Sequence, residues 1–306
     1  MIIRPKYNWF RMLFVWHGSV LPQILPRLLL LLLVSTAVTY FHGTIFQYHV
    51  PLTAAPFSLF GVSLAIFLGF YNSVSYDRFW EGRKLWGALL NDTRSLARQA
   101  LTLSGYPPDA PQVQHFVRLL IAFSHALRHQ LRHTSPTADL HRLLPPELAA
   151  TVQQARFQPV LLLREMGHWL RQARATGHLD STTQLAFDRN LNQLSDIVGG
   201  CERLANTPVP YTYGVLLHRT VYLYCFLLPF GLVETSGWAT PLIVVYIGYT
   251  FMALDAIIGE IEEPFGLEDN DLPLNALSTT IEASLRELAD LPALPPAPRR
   301  PGYIVD

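Results

Sequence analysis

Residues 61–86 read GVSLAIFLGFYNSVSYDRFWEGRKLW, apolar at one end and charged and aromatic at the other. Val62, Ile66 and Phe70 recur every four positions and so form one ridge on a helix. Gly61, Ala65 and Gly69 recur at the same interval, about 100° around the helix. Small-xxx-small stripes let membrane helices approach closely. A ring of such helices packed on the small stripe would point the ridge at an axis. The ridge would then line a narrow apolar tube about 12 Å long at 1.5 Å per residue. The same ridge is also what an ordinary core or lipid-facing surface looks like, and periodicity alone does not separate the two.

Working outward, the chain reads as four apolar spans around one long polar region. Residues 1–27 carry Arg4, Lys6, Arg11 and Arg27 between Trp9, Phe10, Phe14 and Trp16, the pattern of a segment lying on a membrane surface. A cleaved signal peptide fits poorly, because its charged region would be very long and no A-x-A site follows the leucines. Spans are expected over 25–45, 57–80, 212–233 and 240–258, with Pro51 and Pro56 breaking the chain before the second. The second span then runs on into water past Asp77, Arg78, Glu81, Arg83 and Lys84. Residues 85–210 repeat apolar positions at helical spacing, as in FVRLLIAFSHALRHQL at 116–131, and show no strand alternation. Pro107, Pro108, Pro111, Pro145, Pro146 and the GHLDSTT stretch at 177–183 divide that region into several helices. The expected divisions are 1–84, 85–210, 211–263 and 264–306, the last a loop, a short helix and a Pro-rich tail expected to be disordered.

Half of the 306 residues are hydrophobic and only 15% are charged, against about 25% in soluble domains. Mean hydropathy is +0.22. Lys plus Arg and Asp plus Glu both number 23, so no nucleic-acid partner is implied. Two cysteines, Cys201 and Cys225, make no disulfide framework or zinc spacing. No GxGxxG, P-loop, GxSxG or HExxH pattern occurs, and no catalytic residue or cofactor is expected. The short loops at 46–55 and 234–239 contain no Lys or Arg, whereas the N-terminal segment and residues 78–84 do. The positive-inside rule therefore puts both termini and the large polar region of this multi-pass chain in the cytoplasm.

FLGFYNSVSYDRFWEGRKLWG at 67–87 resembles the signature of the bestrophin family in its bacterial branch. TPVPYTYGVLLHRT at 207–220 and GEIEEPFGLEDNDLPL at 259–274 agree in the same order, so the resemblance extends to about residue 288. It implies an all-α integral membrane protein with four transmembrane helices and a helical cytoplasmic region, assembled as a homopentameric ion channel in the lipid bilayer. It also implies that Val62, Ile66 and Phe70 form the hydrophobic neck of an axial pore. Animal members conduct anions, chiefly chloride, and bacterial relatives can favour monovalent cations. The family's Arg-Phe-Pro tripeptide is absent, its nearest counterpart being Tyr106-Pro107-Pro108.

Other candidate positions are less specific. Glu268, Asp269 and Asp271, with Asn270, are suitable oxygen ligands for a cytoplasmic hard cation. Animal bestrophins hold activating calcium with a longer acidic run here; Leu267 and Asn270 interrupt it, so strong calcium activation is not expected. Asp77 could pair with Arg78 or Arg83. His125, His129 and His133 share one helix face without an evident carboxylate, a poor metal set. The rival classes are a carrier, which predicts broken spans and inverted repeats, a membrane-anchored enzyme, which needs a nucleophile and base or a metal set, and a structural membrane scaffold. Neither of the first two has its signature here; the scaffold would tolerate polar residues at the neck.

Overall fold

The computed structural model describes residues 8–16, 18–45, 48–49 and 53–295. Arg4, Lys6 and most of the 46–52 loop fall outside the described residues, as does the tail from residue 296. The architecture is all-α apart from one pair of two-residue strands, β1 (Thr44–Ile45) and β2 (Tyr48–His49), paired antiparallel. The helices separate into two compact units, one of Arg4–Phe79 and Pro208–Glu263, the other chiefly of Trp80–Thr207 and Pro264–Asp306.

The first unit holds the apolar helices. After a single turn, α1 (Trp9–Met12), the chain enters α2 (Leu21–Tyr40). That span starts four residues earlier than the hydropathy suggests, because Pro22 is accepted in its first turn. It ends at Tyr40 rather than 45, because His42 and Gly43 both take positive φ and cannot continue a helix. α3 (Ala54–Leu103) starts before Pro56 rather than after it. Proline in a first turn loses no intrahelical bond, so it does not break this helix. α9 (Tyr211–Ser236) and α10 (Thr240–Glu262) are separated only by a 3-10 turn over Gly237–Ala239, where Gly237 has φ +50°. Among the described residues three runs are thus long and apolar enough to span a membrane, and this turn divides the last into two helices.

α2 packs on α9 and α10, which pack on each other. Their core is Ile24, Leu28 and Leu31 of α2, Val221, Cys225 and Leu228 of α9, and Val244 and Met252 of α10, joined by Phe57, Leu64 and Leu68 of α3. Each such side chain, taken from water, contributes about 1.5–3 kcal/mol.

The second unit comprises the rest of α3, then α4 (Pro111–Leu131), α5 (Thr137–Leu143), α6 (Pro146–Gln154), α7 (Gln158–Ala175), α8 (Ser181–Asn206) and α11 (Leu274–Leu288). α4 lies at its centre, against α5, α7, α8 and α11, and is buried almost continuously from Phe116 to Leu127. Phe116 packs on Trp169, whose Nε1 donates to the Gln112 carbonyl at 2.9 Å. The break at 177–183 is where α7 ends and α8 begins, with Asp180 as N-cap accepting from the Thr183 N–H at 2.6 Å. Burial pushes the Cys201 thiol up to about 12, so it is an inert core residue.

Candidate pore face of the third helix

The membrane half of α3 has two opposite faces. Leu64 and Leu68 are 3% and 0% exposed, in the core with α9 and α10. Val62, Ile66 and Phe70 are 61%, 53% and 68% exposed. Three large apolar side chains on one ridge therefore find no partner within the subunit's own core.

The small stripe does not act as one packing surface within the chain. A Cβ on Gly61 would stand 2.7 Å from Tyr224 Oη, so that glycine receives α9. Ala65 is exposed, and a Cβ on Gly69 would meet nothing within 4 Å. α3 leans on α9 through Phe57, whose ring sits against Gly231 and near Tyr224. Beside these contacts lies an apolar groove of about 990 Å³, lined among others by Phe60, Phe67, Phe70, Tyr213, Leu216 and Leu223.

One end of this bundle is tied by polar bonds between helices. Arg27 donates to Tyr222 Oη at 2.6 Å and Gln23 to Glu260 at 2.9 Å. His218 Nδ1 lies 2.8 Å from Asp255. Tyr71 donates to Glu262 at 2.8 Å, and Arg78 Nε to the Glu262 carbonyl at 3.1 Å. The expected pairing of Asp77 with Arg78 or Arg83 is not formed. Arg78 turns to α10, whose last turn leaves carbonyls without helical donors, and Arg83 stacks over the Trp80 ring at 5.4 Å. Asp77 is exposed and makes no hydrogen bond or ion pair among the described residues.

The acidic loop does not gather its carboxylates. Asp271 turns inward, is almost wholly buried, and accepts the Glu268 N–H at 2.7 Å, whereas the Glu268 and Asp269 side chains face solvent. The local backbone uses Asp271 before any cation can. Among the described residues no group of three His, Cys, Asp or Glu is placed to hold a metal.

The histidines sit differently from the sequence reading. α4 ends at Leu131 and His133 has φ +52°, so His133 leaves the face shared by the other two. Carboxylates do join His125 and His129, but from other helices. His125 Nε2 lies 2.6 Å from Glu282 of α11, and His129 Nε2 3.2 Å from Asp139 of α5. Arg142 reaches both carboxylates, Arg128 donates to Asp139 at 2.8 Å, and Arg286 donates to Glu282 at 2.8 Å. Burial alone would raise the Glu282 carboxyl, but the bonds from Arg142, His125 and Arg286 outweigh it and hold it well below the ordinary range. Asp139 is held low against its own burial in the same way, by His129, His125 and Arg142. This knot fastens α11 to α4 and α5. Its links to α11 run between residues 140 and 157 positions apart, Arg142 and His125 to Glu282, and no local pattern reveals those.

Comparison with known proteins agrees with the geometry. The profile of bacterial and fungal bestrophin proteins matches residues 1–287. A voltage-dependent anion channel-forming protein of Ralstonia nicotianae is 51% identical over 306 residues, all of both chains. One of Escherichia coli K12 is 44% identical over 295 residues, 96% of each. The crystal structure of a bestrophin homologue from Klebsiella pneumoniae superposes with a TM-score of 0.83 at 44% identity, covering 88% of this chain and 99% of that one. The profile match over residues 1–287, with relatives 44–51% identical over nearly all of the chain and a solved homologue of the same helical fold, makes this chain a member of the bestrophin family.

Proposed function

We propose that this protein is a homopentameric channel through which monovalent ions pass passively along an axial pore. Val62, Ile66 and Phe70 of every subunit form its hydrophobic neck. The observation that carries the reading is the division of α3: one face is sealed in the subunit core at Leu64 and Leu68, and the opposite face leaves three bulky apolar residues in a row uncovered. An apolar constriction gates by dewetting, since it strips an ion's hydration and returns no ligand. The relatives' names, which speak of anion channels, support conduction as the activity. The ridge itself carries no charge and selects neither sign.

Assembly accounts for the other uncovered surfaces. The groove beside α9 and the open space at Gly69 and Ala65 offer a neighbouring copy a close approach. Both termini and the second unit lie in the cytoplasm of the inner membrane, by the distribution of Lys and Arg. Native mass spectrometry of detergent-purified protein is expected to give a pentamer, and a tag in the 46–52 loop should be accessible from outside the inner membrane. A monomer alone, or a protected loop, would remove the pore or the orientation respectively.

A further inference from the structure

We propose that Asp77 is the charge-selecting residue of the conduction path. Repeated once per subunit, it forms a ring of carboxylates that draws monovalent cations to one end of the neck. The proposal rests on reading the ridge as that neck.

At about 100° per residue, Val62, Ile66 and Phe70 span an arc of about 80° on α3, and Asp77 falls inside that arc, about 20° from its centre. Ser73 falls in the same arc. Arg78 is turned about 100° from Asp77, and is engaged with Glu262. The face thus reads Val, Ile, Phe, Ser, Asp: three apolar levels, a small hydroxyl, then a charge. Asp77 lies about 10.5 Å beyond Phe70 along the helix axis. It is the first ionisable side chain met on that arc, and Lys84 comes a further seven residues on.

The second observation is what Asp77 does not do. At this end of the bundle Gln23, Arg27, Tyr71, Arg78, His218 and Asp255 are all bonded to another helix. Asp77, in their midst in sequence, is exposed and makes no hydrogen bond or ion pair among the described residues. Structural pairing therefore does not account for a carboxylate at this point of the ridge.

Symmetry turns one such carboxylate into several around an axis. Rings of Asp or Glu favour cations by raising their local concentration and repelling anions. The Debye length is about 8–10 Å at physiological salt, so the ring acts mainly on ions at its own level and its effect weakens as salt rises.

The test is reversal potential in planar bilayers holding the purified full-length chain under a potassium chloride gradient. The parent should reverse on the cation side, less so at high salt. Asp77→Asn should lower the cation-to-anion permeability ratio severalfold while current persists, and Asp77→Lys should carry the reversal potential to the anion side. Asp77→Cys should lose the preference and regain it on treatment with an anionic thiol reagent; Cys201 and Cys225 are both buried. A parent that reverses on the anion side overturns the proposal. So do Asp77→Asn and Asp77→Lys channels that keep the parental reversal potential while Ile66→Ala alters conductance, a result that leaves the neck standing. Arg219 of α9 is likewise exposed and makes no hydrogen bond or ion pair among the described residues; if Arg219→Gln mimics Asp77→Asn and both loosen the oligomer in native mass spectrometry, Asp77 is an intersubunit ion-pair partner and the ring is refuted. A parent silent in bilayers removes the neck itself, and the ring with it.

Discussion

Replacing Glu282 by Gln should cost more stability than almost any other single polar substitution in this chain. The carboxylate is 1% exposed and is contacted by His125 Nε2, both terminal nitrogens of Arg142, and Arg286 Nε. An amide keeps one acceptor oxygen and turns an NH2 toward donors, so buried His125, half-buried Arg286 and the more exposed Arg142, which retains Asp139, lose a counter-charge. Breaking a buried ion pair from one side costs about 3–5 kcal/mol. At about 2–4 °C per kcal/mol for a folding unit of this size, the expected drop in melting temperature is about 6–20 °C. Tryptophan fluorescence of purified protein in detergent reads this, since Trp169 lies in the same unit's core. Glu287 of the same helix is exposed, and Glu287→Gln should stay within about 0.5 kcal/mol of the parent. Limited proteolysis should also cut Glu282→Gln first near α11. If Glu282→Gln melts with the parent and α11 stays protected, the knot does not hold α11, and the account of the second unit is wrong.

Further expectations follow from the same contacts. Asp139 and Glu282 are held below their unfolded values, so their contribution is complete above the ordinary carboxylate pKa of about 4 and is lost as pH falls below it; acid melting of the parent should be steeper than that of Glu282→Gln. Gly231→Ala would drive a methyl into the Phe57 ring, an overpacking cost of about 1–3 kcal/mol that exceeds the gain of about 1 kcal/mol in helix propensity, so melting should fall. Gly69 has open space in the subunit, so Gly69→Leu should leave the subunit's helicity by circular dichroism intact while breaking the oligomer in native mass spectrometry; an intact oligomer would show that Gly69 is not at a subunit contact.

Much of the fold is legible because bilayers impose a coarse rule: about 20 apolar residues per span. The leucine run of α2 and the apolar lengths of α9 and α10 satisfy it visibly. Their ends are less legible, because backbone conformation rather than hydropathy sets them: positive φ at His42 and Gly43 stops α2, and Pro56 is harmless because it falls in a first turn. The ridge could be read from spacing, but spacing is silent on which face is covered, and it took Leu64 and Leu68 in the core to distinguish them. Asp77 looked like a partner for its neighbours because they are adjacent in sequence. On a helix, adjacent residues point apart, and Arg78 went to Glu262 instead. His125 and Glu282 are 157 positions apart, and no periodicity records such a pair.

The central claim, that the uncovered face of α3 lines a conduction path, is tested most directly by single-channel recording of Ile66→Ala beside Leu64→Ala. Ile66 is half exposed in the subunit and Leu64 is in the core. Truncating Ile66 should widen and wet the neck and raise conductance or open probability. Truncating Leu64 should cost about 2–5 kcal/mol of stability and leave the unitary current of folded channels unchanged. Parental currents from Ile66→Ala together with an enlarged current from Leu64→Ala would mean that the opposite face of α3 lines the path.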